Sequence, residues 1–70
     1  MKCYILETRR DGGTFFVKTY NSSVRVAIDN FCNLYHAPRN AIKNIYEIPI
    51  GFFGYNSKNL IKKGIAVKIN

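Results

Sequence analysis

The chain has very little of the material from which catalytic and metal centres are built. It holds one histidine, two cysteines, four acidic residues and no tryptophan among its 70 residues. Catalysis needs a nucleophile, an acid–base group or a metal gathered around a pocket, and the four acids, Glu7, Asp11, Asp29 and Glu47, fall on four separate segments. Surface pairing with the plentiful cations is the expected use of each. His36 lies two residues before Pro38 at a helix end, where it serves the last carbonyls or faces water. A zinc site would have to draw on Cys3, Cys32, His36 and a carboxylate. Only Cys32 and His36 have a useful spacing, whereas structural zinc sites show two paired spacings. Gly12-Gly13 lacks the Lys-Ser/Thr ending and the following helix of a phosphate loop, so it reads as turn chemistry. The expectations are no metal, no cofactor and no enzymatic activity.

Long apolar runs are also missing, and no segment approaches the length of a membrane span. Lys2-Cys3-Tyr4-Ile5-Leu6-Glu7 has neither the apolar core nor the small-residue cleavage site of a secretory leader. Without Cys-x-x-Cys spacing or a histidine cluster, Cys3 and Cys32 read as buried, reduced thiols. Together these features point to the cytoplasm and to no membrane partner. What is present is a 47% hydrophobic chain, too apolar for disorder and the size of one domain spanning 1–70. Eleven Lys and Arg against four acids give a net charge of +7, which favours encounter with polyanions.

Residues 2 to 8 and 14 to 20 are rich in aromatic and β-branched types and read as a hairpin turning through Arg9-Arg10-Asp11-Gly12-Gly13. Pairing Leu6 with Phe16 sets Tyr4 opposite Lys18 and Lys2 opposite Tyr20, with Ile5 opposite Val17 and Cys3 opposite Thr19 on the other face. After the capping residues Asn21, Ser22 and Ser23, apolar Val24, Ala27, Ile28, Phe31, Leu34 and Tyr35 recur at helical spacing, with Arg25, Asp29, Asn30 and Asn33 on the far side. Pro38 ends that helix. A turn over 39–44 leads to a strand at 45–48, which Pro49 and Gly51 break. A loop then carries Phe52, Phe53 and Tyr55. Ser57 is placed to cap a short helix running to Lys63, with Gly64 past its end, and 65–69 form a final strand. The order β-β-α-β-(short α)-β implies an α+β fold with helices on one face of a small, mainly antiparallel sheet of about four strands, the main amphipathic helix among them.

On that register the even-numbered sheet face gathers Lys2, Tyr4, Phe16, Lys18, Tyr20, Tyr46 and Lys68. Rings stack on bases while lysines neutralise phosphates, so the face reads as a single-strand nucleic-acid platform. Arg9 and Arg10 at the hairpin tip, with Lys58, Lys62 and Lys63 on the late helix, extend a positive track. The competing use of the same rings is structural: they lie beneath the 50–56 loop or in a homodimer interface. In size and element order the chain resembles small bacteriophage-encoded proteins, including some anti-CRISPR inhibitors, a resemblance that implies a protein-binding modulator of a larger, nucleic-acid-processing complex. The reading from the residues is a small, non-enzymatic, nucleic-acid-binding protein. The alternative is an inhibitor or adaptor that docks on an acidic protein surface. A small enzyme relying on His36 or Cys32 is the remote third.

Overall fold

The structure is a computed structural model and describes residues 1–70. Its first element is a long hairpin, β1 (Lys2–Arg10) and β2 (Gly13–Asn21). Asp11 and Gly12 alone make the turn, both at positive φ (50° and 78°). That is the type I′ geometry whose twist matches that of paired strands. The turn is therefore tighter than the five residues expected from composition, and the register moves by one: Leu6 faces Val17, Tyr4 faces Thr19 and Lys2 faces Asn21. Arg9, Arg10 and Gly13 belong to the ladder because two residues suffice to reverse the chain.

The helix α1 (Val24–Tyr35) begins where the Ser23 side chain accepts the Val26 N–H. It stops at His36, whose left-handed backbone (φ 52°) lets its N–H donate to the Cys32 carbonyl. A 3₁₀ turn at Arg39–Ala41 feeds β3 (Ile42–Ile48), three residues longer at its start than expected. β3 runs antiparallel along the other side of β1, with Lys43 bulged out between the Glu7–Asn44 and Thr8–Ile42 pairs. A second 3₁₀ turn at Ile50–Phe52 precedes α2 (Ser57–Lys62). Asn56 caps α2, accepting the Asn59 N–H at 3.2 Å, so the cap falls one residue before Ser57. The last strand, β4, is only Val67–Lys68, and the sheet order is β2-β1-β3-β4. The fold is α+β with a four-stranded antiparallel sheet and one main helix, as the element order implied.

Side chains alternate across a strand, and β1 sorts them into two cores. Leu6 packs with Ile45 and with Ile28 and Phe31 of α1. Cys3 and Ile5 point the other way and pack with Ile48, Leu60 and Ala66. The short helix α2 thus lies across the face opposite α1, and the expectation that the helices share a face is corrected. The reason is burial. β1 is apolar on both sides, and after α1 has taken one side the only chain left to cover the other is residues 50 to 66. Burying Leu60, the only fully buried side chain of α2, contributes on the order of 2 kcal/mol toward holding that cover in place.

Candidate functional site

The one-residue change of register divides the ring-bearing face that the sequence suggested. Paired residues share a side, so Phe16, Lys18, Tyr20, Tyr46 and Lys68 lie with Cys3 and Ile5, whereas Lys2 and Tyr4 lie on the α1 side. Tyr4 is buried there, and Lys2 forms the molecule's one ion pair, with Glu47 at 3.6 Å. The five residues that do share a face are largely occupied by the fold itself. Phe16 and Tyr46 pack against the core that Leu60 and Ala66 close. Tyr20 stacks on Phe53 with centroids 4.3 Å apart, and the Lys18 ammonium donates to the carbonyls of Phe53 and Tyr55. It also sits 5.5 Å from the centre of the Phe53 ring. The 50–56 loop is therefore the cover over this face, and neither the rings nor Lys18 form an open stacking platform.

Two ionisable groups in this layer are shifted. Burial pushes the Cys3 thiol up, partly opposed by the charge of Lys18. Burial likewise raises Tyr46, and its bond to Glu7 adds to the effect, because the phenol donates to Glu7 Oε1 at 3.2 Å and a phenolate there would face a carboxylate. Asn44 donates to the same oxygen at 3.2 Å. Glu7 is thereby turned inward, away from the cations of the surface.

The sequence-suggested cations that remain free are at the hairpin tip, on α2 and, singly, at the exposed Lys68 of β4. β3 pairs with β1 only as far as Thr8, so Arg9 and Arg10 stand on two rungs, opposite Thr14 and Gly13, that project past the sheet. Both are exposed. α1 starts beside the far end of β2 and runs back toward this tip. Its last residues and the following connection meet the arginines around an open cleft of about 460 Å³, lined by Arg9, Arg10, Tyr35, His36, Ala37, Pro38, Asn40 and Ala41. The lining contains no carboxylate, and neither arginine is ion-paired. On the opposite side of the hairpin, Thr14, Phe15 and Phe16 with Asn56, Ser57 and Lys58 line a shallower depression of about 400 Å³. Lys62 and Lys63 follow, exposed, one turn further along α2. The tip is thus flanked by donors on both faces.

Compared with known proteins, the chain matches no family model, no curated protein and no solved structure.

Asn40 and Tyr35 were not among the residues picked out as a site from the sequence, and His36 entered only in the zinc and remote enzyme readings. The available signal was topological. A helix that follows the second strand of a hairpin and packs back on it must run toward the hairpin's turn, which brings its C-terminal residues to the arginines. Chemically, a cleft lined by Arg9, Arg10, His36 and Asn40 and free of carboxylates suits an anion, which such residues bind through charge-assisted hydrogen bonds. The lining offers no nucleophile paired with a base, since both thiols lie outside it. No helix is long and apolar enough to cross a membrane.

Proposed function

We propose that the protein is a non-enzymatic nucleic-acid-binding protein that grips the phosphate backbone with the projecting hairpin tip. The observation that carries this reading is the carboxylate-free cleft in which Arg9 and Arg10 meet His36 and Asn40. Arginine presents a planar fork that matches phosphate oxygens two at a time, and a two-stranded ribbon is narrow enough to enter the major groove of a duplex. The net charge of +7, with only Lys2 ion-paired, leaves most of the positive charge uncompensated and able to attract a polyanion at long range. Base stacking has no part in this reading, because Phe16 and Tyr46 are packed against the core and Tyr20 is already stacked on Phe53. Backbone-directed contacts of this kind give affinity with little sequence preference.

The test is a fluorescence titration against labelled single- and double-stranded nucleic acid at low and at physiological salt. We expect binding that weakens steeply with salt as counterions are released. We also expect a loss of about tenfold or more when Arg9 and Arg10 are both changed to Ala, since two phosphate contacts disappear. Absence of binding at low salt, or binding indifferent to the double change, would overturn the reading.

A further inference from the structure

We infer that the outer edge of β2 pairs with β2 of a second copy of the chain, extending the sheet across a two-fold axis at Val17. The argument is independent of nucleic acid and begins with the hydrogen-bond parity of the hairpin. In a two-residue hairpin the rung that closes the turn, here Arg10 with Gly13, is hydrogen-bonded, and such rungs alternate along the ladder. The backbones of Gly13, Phe15, Val17, Thr19 and Asn21 therefore face β1. Those of Thr14, Phe16, Lys18 and Tyr20 face outward, and none of these four takes part in any backbone hydrogen bond outside the strand ladders and helices.

Edge strands normally carry protection: they are short, bulged, interrupted by proline or studded with lysine. β2 has nine residues, contains no proline, and pairs with β1 without a register break. Its one charged side chain, Lys18, is drawn back onto its own chain by the carbonyls of Phe53 and Tyr55. An unprotected edge of this length is a template for another strand, and the strand it fits best is itself.

Self-pairing across Val17 sets Thr14 opposite Tyr20 and Phe16 opposite Lys18 of the second copy. All four outward residues are then used in both chains, for about eight inter-chain hydrogen bonds at two per hydrogen-bonded rung. Centring one residue later, on Lys18, would place two lysines face to face and leave Thr14 without a partner. Centring on Phe16 would leave Tyr20 unpaired. Only the Val17 register satisfies the whole edge and keeps like charges apart. In that register the non-hydrogen-bonded rungs set Val17 against Val17 and Phe15 against Thr19, where side chains approach most closely.

The mass in solution, followed from micromolar to millimolar protein by sedimentation in the absence of nucleic acid, is expected to move to that of a dimer. The amides of Thr14, Phe16, Lys18 and Tyr20 are expected to gain about tenfold or more in hydrogen-exchange protection over the same range. A chain that stays monomeric at millimolar concentration overturns the inference, as does a dimer in which those amides still exchange freely. Thr14→Pro, at an exposed position whose N–H points outward, is expected to weaken association at least about tenfold because it removes a donor from two symmetry-related rungs. Should that variant fail to fold, cysteine pairing replaces it. Val17→Cys is expected to form a disulfide-linked dimer under mild oxidation, since non-hydrogen-bonded neighbours are within bridging distance, while Thr14→Cys does not. The reverse pattern overturns the register.

Discussion

Tyr46 shows how one residue can give a fold a pH response. Its phenol donates to Glu7, and burial together with that carboxylate raises its pKa. A raised pKa in the folded state means that the unfolded chain loses its proton first. The stabilising contribution is therefore complete below the ordinary tyrosine value of about 10 and is lost as pH rises through the folded value. The buried Cys3 thiol, also shifted upward, acts with the same sign from about pH 8.5. Chemical denaturation at a series of alkaline pH values should show stability falling above roughly pH 9, given these ordinary values. Tyr46→Phe should flatten the upper part of that fall while costing about 1 kcal/mol at neutral pH for the lost hydrogen bond. An unchanged alkaline slope in the variant would remove Tyr46 as its source. Tyr46 was recognisable in the sequence as a ring on a strand. Its partner Glu7 was read as a surface acid, because alternation alone does not tell which side of an edge-to-centre strand will be covered.

At the scale of elements, the hairpin turn decides which side chains share a face. Asp11-Gly12 holds both residues at positive φ, and a Cβ added at Gly12 would meet nothing within 4 Å. A Gly12→Ala change is therefore penalised by backbone conformation alone, about 1 kcal/mol for an L-residue held in the left-handed region. Gly51 is equally open but lies outside that region, so Gly51→Ala should be neutral within about 0.5 kcal/mol. Thermal melts of the two variants check the contrast, and equal effects would mean that the turn is not the strained element. The helix α1 was legible because capping, apolar spacing and a following proline all agree on it. The turn was harder to place. Arg9 and Arg10 are compatible with either loop or strand, and assigning both of them but only Gly13 of β2 to the loop displaces the register by one.

For the whole molecule, the dominant quantity is charge without counter-charge. A net charge of +7 is carried with a single ion pair, between Lys2 and Glu47. Self-repulsion then opposes the compact state and is screened by salt, whose Debye length falls from about 30 Å at 0.01 M to about 8 Å at 0.15 M. The melting temperature should rise over that interval, by a few degrees for each kcal/mol recovered in a domain of this size. A melting temperature that falls with salt would show that favourable attractions outweigh repulsion in the folded chain. Salt thus acts in opposite directions on stability and on polyanion binding. Measuring both on one preparation separates the charge of the fold from the charge of the proposed site.

Composition and periodicity determined the class of this protein: an α+β domain with a hairpin, one strong helix and a large positive charge. These properties are local or additive. A glycine-bearing turn segment, an amphipathic stripe and a sum of charges can each be read without knowing what lies opposite. Which rings are covered was decided only by the tertiary structure. β1 is apolar on both sides, so the face left open by α1 draws in the 50–56 loop and α2, and Lys18 and Tyr20 become fastenings for that loop. The meeting of Arg9 and Arg10 with His36 and Asn40 is likewise tertiary, since it depends on α1 running back along the hairpin to the tip. Burial and proximity are properties of pairs of distant segments, and a single strand's pattern does not contain its partner.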